Sequence, residues 1–158
     1  QNGYKVYDSP FLDISFGEKY SIITLFDVVE HLTDLPEHFA KLHSILDNNG
    51  IVVLITPDYD SLQRKLLGKK WFQFKPIEHI NYFSLTTFKT LVDSTGFKIV
   101  DSKKAGQYSN TDFLTDRLKK YKFGWLIPIF NLTVKLFGMK NKDLYIDTAS
   151  LYVVLKKK

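Results

Sequence analysis

Two carboxylates and two imidazoles have the types and spacing to do chemistry. Asp27, Glu30 and His31 follow directly on an apolar run, YSIITLF, and His79 comes later in the chain. Imidazoles and carboxylates move protons near neutral pH when a neighbour tunes them. The same four side chains also form a reasonable ligand set for Mg²⁺, Mn²⁺ or Zn²⁺, and a bound cation would lower the pKa of a hydroxyl held against it. A purely structural role fits the pattern too. Asp27 and Glu30 could place negative charge in the first turn of a helix, His31 could be a hydrogen-bonded structural histidine, and His79 a packing residue where a loop begins. His38 and His43 fall within a helical segment and read as surface or flank histidines. With no cysteine in the chain, disulfides, thiolate metal sites and cysteine nucleophiles are excluded.

The elements that must position these residues are legible as an alternation. Tyr20–Phe26 is apolar on both faces, as a strand buried in a parallel sheet would be. Residues 36–46 carry Phe39, Leu42, Ile45 and Leu46 at helical spacing, with Pro36 in the first turn and Asp47-Asn48-Asn49-Gly50 as a stop. Residues 51–56 (IVVLIT) are a second apolar strand, ended by Pro57-Asp58. A short helix is expected over 61–67, stopped by Gly68. Ser84-x-x-Thr87 opens another helix, Gly96 ends it, and 97–101 begins the next strand. This order predicts a parallel α/β sheet with crossover helices. Residues 4–7 form a further short strand candidate. Residues 112–121 and 125–137 read as helices, the second apolar nearly all round, and 149–155 as a last strand before a lysine tail.

At Tyr20 the chain resembles a known family. YSIITLFDVVEHL is similar to the fourth strand and following turn of class I S-adenosylmethionine-dependent methyltransferases of the type 11/23-like branch. LHSILDNNGIVVLITP resembles their fourth helix and fifth strand, and EHINYFSLTTFKTLVDSTGF resembles the block that follows. The likeness runs over about residues 3–106. It implies a Rossmann-like sheet with crossover helices of which only the C-terminal two-thirds is present, with an added helical segment before the last strand. The expected divisions of this single partial domain are a core over 1–106, a helical insertion or lid over 107–148, and a last strand with basic tail over 149–158.

The resemblance also implies a function: transfer of a methyl group from S-adenosylmethionine to a small-molecule or sugar-containing acceptor, through oxygen. His31, with Glu30 and His79, would be catalytic. Leu25 and Phe26 would line the cofactor pocket, and Asp13 would stand near the adenine. Small-RNA 2′-O-methyltransferases carry a Glu-x-x-Glu-His pattern with a later histidine around a divalent cation, so Asp27, Glu30, His31 and His79 would hold one here, with aspartate in the first place. The family's glycine-rich cofactor loop is not found in this sequence, and a start at Gln1 reads as an internal position. The alternative is a methyltransferase-like module that binds partners without cofactor. If the family's first strand is missing, Ser21 to Phe26 would be an apolar edge, which should be covered by a partner chain or a rearranged N-terminus.

Composition narrows the remaining classes. Lys and Arg number 22 against 17 Asp and Glu, for a net charge of +5. The excess gathers at Lys156-Lys157-Lys158 and at Lys119, Lys120 and Lys122. Without the aromatic-interleaved basic pattern of a nucleic-acid module, no nucleic-acid partner is expected. No charged segment followed by an apolar signal core is present, and the lack of cysteine fits a cytoplasmic setting. The loop Lys69-Lys70-Trp71-Phe72-Gln73-Phe74 suits either a substrate lid or edge packing. Tyr59, Trp71 and Tyr82 could stack on an acceptor or fill the core. The 125–137 segment is expected to pack on the sheet, with peripheral membrane contact, an active-site cover or a homo-oligomer contact as its other uses.

Overall fold

The two continuous apolar runs lie side by side. In this computed structural model, which describes residues 3–139 and 142–158, β1 (Tyr20–Phe26) pairs in parallel with β2 (Leu46–Pro57), from Ile22 opposite Ile51 to Phe26 opposite Ile55. Parallel neighbours need a crossover, and α1 (Leu35–Ile45) supplies it. The Asp34 carboxylate accepts the Glu37 N–H at 3.2 Å to cap that helix. Two helices follow, α2 (Leu62–Leu67) and α3 (Leu85–Asp93). In α3, Ser84 and Thr87 satisfy each other's backbone N–H in a reciprocal cap. Then come β3 (Phe97–Ser109), α4 (Thr111–Lys120), α5 (Ile127–Leu136) and β4 (Leu144–Lys157).

β4 inserts between β2 and β3 and runs against both, so the sheet order is β1-β2-β4-β3. The three earlier strands share one direction; the sheet is therefore mixed rather than parallel throughout. α1 and α3 cover one face. Phe39 and Leu42 from α1 and Phe88 and Val92 from α3 close on Leu46, Val52, Leu54, Phe97, Val153 and Leu155. Phe39 meets Phe88 and Phe97 edge-on at 6.3 and 6.0 Å, the geometry that aromatic quadrupoles favour.

Several expectations are corrected. Residues 4–7 join no strand. The Asp47–Gly50 run does not stop α1 with a turn: the chain passes straight from Ile45 into β2, and Leu46 is already opposite Tyr20. β3 and β4 outrun the predicted 97–101 and 149–155 because each completes the other's backbone hydrogen bonds out to Ser109 and Leu144. The 125–137 segment does not pack on the sheet. Of α5 only Val134 is buried, while Trp125 and Leu136 are 70% and 71% exposed.

β1 is an edge strand. No strand among the described residues pairs with its outer side, and Ile22 is 62% exposed. The cover expected from the N-terminal segment reaches only the start of this strand, where Tyr7, Phe16 and Tyr20 stack edge to face at 5.4 and 5.8 Å.

Phe88 is fully buried against Phe39 and Phe83. Phe88→Ala should therefore lower unfolding free energy by about 3–5 kcal/mol, measured by urea denaturation.

Candidate active site at the strand ends

A backbone clamp brings the separated residues of the motif together. After Phe26 the chain makes a single turn of 3-10 helix, Val29–His31, that buries Glu30. The Glu30 carbonyl then accepts two N–H donors, from Ile80 and Asn81, each at 3.0 Å. The Asn81 side chain adds a bond to the Leu32 carbonyl at 2.7 Å. These bonds bring His79 beside Glu30 and His31, so that one ligand atom from each of the three lies within 4.8 Å of the others. The two imidazole rings meet edge-on at 4.8 Å.

The electrostatics of this cluster follow from burial. Glu30 is 1% exposed. Burial pushes its carboxyl above the ordinary range; hydrogen bonding, including the Thr56 hydroxyl on β2 at 3.1 Å, and the nearby His31 oppose this. Its other oxygen, Oε1, is buried without a partner. His79 is buried, and desolvation first, then the His31 and Lys75 charges, hold its imidazole below the ordinary value. Among the described residues its Nδ1 also has no hydrogen-bond partner. His31 is exposed, and its Nδ1 lies 2.6 Å from the Glu78 carbonyl oxygen. A carbonyl only accepts, so Nδ1 carries a proton, and in the neutral ring Nε2 is the nitrogen with the lone pair.

Asp27 stands apart from this group. The three-residue cluster does not include it; instead it lines a cavity of about 510 Å³ beyond the ends of the strands. Its backbone has φ 52° and its N–H donates to the Ile55 carbonyl at 3.0 Å. Ile55 also lines the cavity, whereas Thr56, one residue on, points to the opposite face with Glu30. The cluster and the cavity thus flank the carboxyl ends of β1 and β2. α4 closes the far wall with Phe113 and Arg117, whose guanidinium lies over the Phe113 ring at 4.7 Å and donates to the Tyr121 hydroxyl. Gly106 lies in the same wall: a Cβ there would strike the Tyr145 ring and come within 2.6 Å of the Ile146 carbonyl.

The other expected site residues are dispersed. Leu25 packs against the core, so only its backbone faces the strand end, while Phe26 projects to the open side. Asp13 is exposed on a 3-10 turn, Phe11–Asp13, which lies against α1 and away from the cavity lining. Trp71 is buried and Tyr82 accepts the Lys75 N–H, so both stabilise the 69–82 loop instead of offering a stacking platform. Tyr59 is covered by the Arg64 guanidinium at 4.0 Å. Phe72 and Gln73 from the basic-aromatic loop form one cavity wall, Phe72 lying 5.6 Å from Tyr121. Sequence reasoning missed Thr56, Asn81 and Arg117. Only Arg117 carries a signal of its own, a basic residue one helical turn past Phe113.

A family profile described as a methyltransferase domain matches residues 3–102, more than half of the sequence. The chain belongs to the methyltransferase domain family. No curated protein matches it. Among solved structures it is similar to the mitomycin 7-O-methyltransferase MmcR (8% identity, TM-score 0.57, 95% of this chain and 33% of that one). It is also similar to a putative sarcosine dimethylglycine methyltransferase from Galdieria sulphuraria (16%, 0.54, 95% and 58%). A third likeness is to a possible histamine N-methyltransferase from Thermotoga maritima (13%, 0.55, 95% and 62%). At these identities the likeness shows the fold, a mixed α/β architecture with this four-stranded sheet as part of it. The chain spans between a third and about three-fifths of those proteins.

The methyltransferase domain's strand-end residues carry two predictions. Asparagine tolerates positive φ, so Asp27→Asn should leave the thermal midpoint close to wild type, while Asp27→Val should cost about 1–3 kcal/mol. Glu30 binds its proton more tightly folded than unfolded. Its contribution to stability is therefore full below the unfolded carboxyl value of 4.5 and is lost as pH rises through the raised folded value. His79 works in the opposite sense: its contribution is full above the unfolded value of 6.5 and is lost as pH falls toward the depressed folded one. Glu30→Gln should raise stability at neutral pH relative to acid pH and flatten the alkaline side of the stability profile, measured by denaturation across pH.

Proposed function

We propose that this chain is the acceptor-side, C-terminal two-thirds of a class I S-adenosylmethionine-dependent methyltransferase that methylates a hydroxyl on a small-molecule or sugar-containing acceptor. The observation that carries this reading is the fixed tautomer of His31. The Glu78 carbonyl holds its Nδ1–H, which leaves an exposed Nε2 lone pair at the strand ends of a methyltransferase domain.

The residues present fit one side of a cofactor site. The Phe26 ring is half exposed at the end of β1, whereas no glycine-rich turn for the methionine end occurs in residues 1–158. When bound, S-adenosylmethionine supplies an electrophilic methyl group on a sulfonium. His31 Nε2 would take the proton from the acceptor hydroxyl. Buried Glu30 and neutral His79 orient and support the imidazole. Phe72, Phe113 and Arg117 line the recess that receives the rest of the acceptor.

The unpartnered Glu30 Oε1 and His79 Nδ1 favour a second reading of the same cluster. Two buried polar atoms without partners are costly, and a cation would satisfy both. Glu30, His31 and His79 would then hold Mg²⁺, Mn²⁺ or Zn²⁺, which supplies a lowered pKa to the acceptor hydroxyl when bound. Asp27 is not in this ligand group.

Calorimetric titration of S-adenosylhomocysteine into the full gene product tests the methyltransferase reading; absence of binding would overturn it in favour of a partner-binding module. In the active enzyme, His31→Ala should lower kcat by about a hundredfold or more. A divalent cation should raise the thermal midpoint of wild type but not of His79→Ala. Equal shifts in both proteins would discard the cation.

A further inference from the structure

Between Arg117 and Lys142 the chain carries seven basic residues and no acidic one. The same stretch holds α5, whose outward face is bare. Trp125, Ile129, Leu132 and Leu136 recur at helical spacing, each more than half exposed. Val134, on the opposite side of the helix, is the residue that turns inward. Lys135 flanks this apolar stripe, and Lys119, Lys120 and Lys122 precede it, all exposed. Lys119 is paired with Asp116 at 3.3 Å, and the apolar helical face flanked by Lys120, Lys122 and Lys135 is complementary to an anionic lipid surface, where the stripe enters the acyl boundary and the lysines meet phosphates. A second copy would fit less well, because a symmetric contact through this face would set the same lysines against each other.

We propose that the 117–139 segment is a docking surface for anionic membranes. It holds the protein at the lipid surface through the apolar stripe of α5, with its lysines selecting negatively charged headgroups. Among the described residues no helix is long and apolar enough to cross the bilayer, so the segment would lie on the surface. The inference is independent of the methyl-transfer reading.

Sedimentation with phosphatidylglycerol and with phosphatidylcholine vesicles tests it. The protein should pellet with phosphatidylglycerol, bind phosphatidylcholine at least about tenfold more weakly, and be released as salt rises. Trp71 is already buried, so a blue shift of tryptophan emission on binding would report Trp125 entering the lipid. The double variant Ile129→Glu/Leu132→Glu should lose at least about tenfold in binding while keeping the wild-type thermal midpoint, since both side chains are exposed. As a second check that leaves the stripe untouched, Lys120→Gln/Lys135→Gln should weaken binding by about fivefold per lysine. Binding to neither vesicle, equal binding to both, or undiminished binding by the glutamate variant would overturn the proposal. So would a concentration-dependent dimer that the glutamate variant abolishes, which would make the stripe a self-interface.

Discussion

The constraint on which the rest depends is the insertion of the last strand, β4, between β2 and β3. β4 bonds to β2 from Val52 to Pro57 and to β3 along nearly its whole length. Without it β3 would have no neighbour and α3 no complete floor to pack on, because Val153 and Leu155 sit at the centre of the core. The same strand lines the cavity at the strand ends. At Ala149, φ 54°, it takes a conformation unusual for a residue with a side chain, and there its carbonyl accepts the Asp58 N–H at 2.8 Å. The neighbouring stretch supplies Ile146, Asp147, Thr148 and Ser150 to the cavity wall. The fold therefore depends on pairing between segments far apart in the sequence, and such long-range pairings form slowly.

Burial of Glu30 is the opposite kind of feature, one that stability alone would not favour. A carboxyl in the interior with one oxygen unpaired among the described residues destabilises the folded chain, and its neighbours are a buried histidine, an exposed histidine whose Nδ1 is held by a carbonyl, and a hydroxyl from the next strand. Local rules are commonly broken in this way where structure serves chemistry. The positive φ values of Asp27 and Ala149 fall at the same end of the sheet, so backbone strain and electrostatic cost are gathered in one place.

Apolar surface is distributed unevenly. α1 and α3 seal one face of the sheet, whereas Ile22 and Phe26 stand open on β1 and the α5 stripe faces outward. These two exposed regions differ in their surroundings. The strand edge offers unpaired backbone groups as well as apolar side chains, which suits β pairing. The helix has no such groups to offer and is bordered by lysines, which suits a fluid, negatively charged surface.

Local pattern in the sequence determined the elements with apolar periodicity: β1, the core of β2, α1, α3 and the helical spacing of α4 and α5 follow from side-chain spacing and, for α3, from the Ser84-x-x-Thr87 cap. The Asp-x-x-Glu-His motif was legible for the same reason, since an apolar strand ending in polar residues marks a ligand edge in α/β sheets. Only the tertiary structure decided which of those residues meet. Asp27 and Glu30 are three positions apart, yet the turn after β1 sends one to the cavity and the other into the core. His79 joins the cluster because backbone donors at Ile80 and Asn81 find the Glu30 carbonyl, and backbone bonds carry no side-chain signature. The exposure of 125–137 was equally hidden: apolar residues around a helix say that burial would be favourable, but whether a surface lies within reach to bury them is settled by the packing of the other elements.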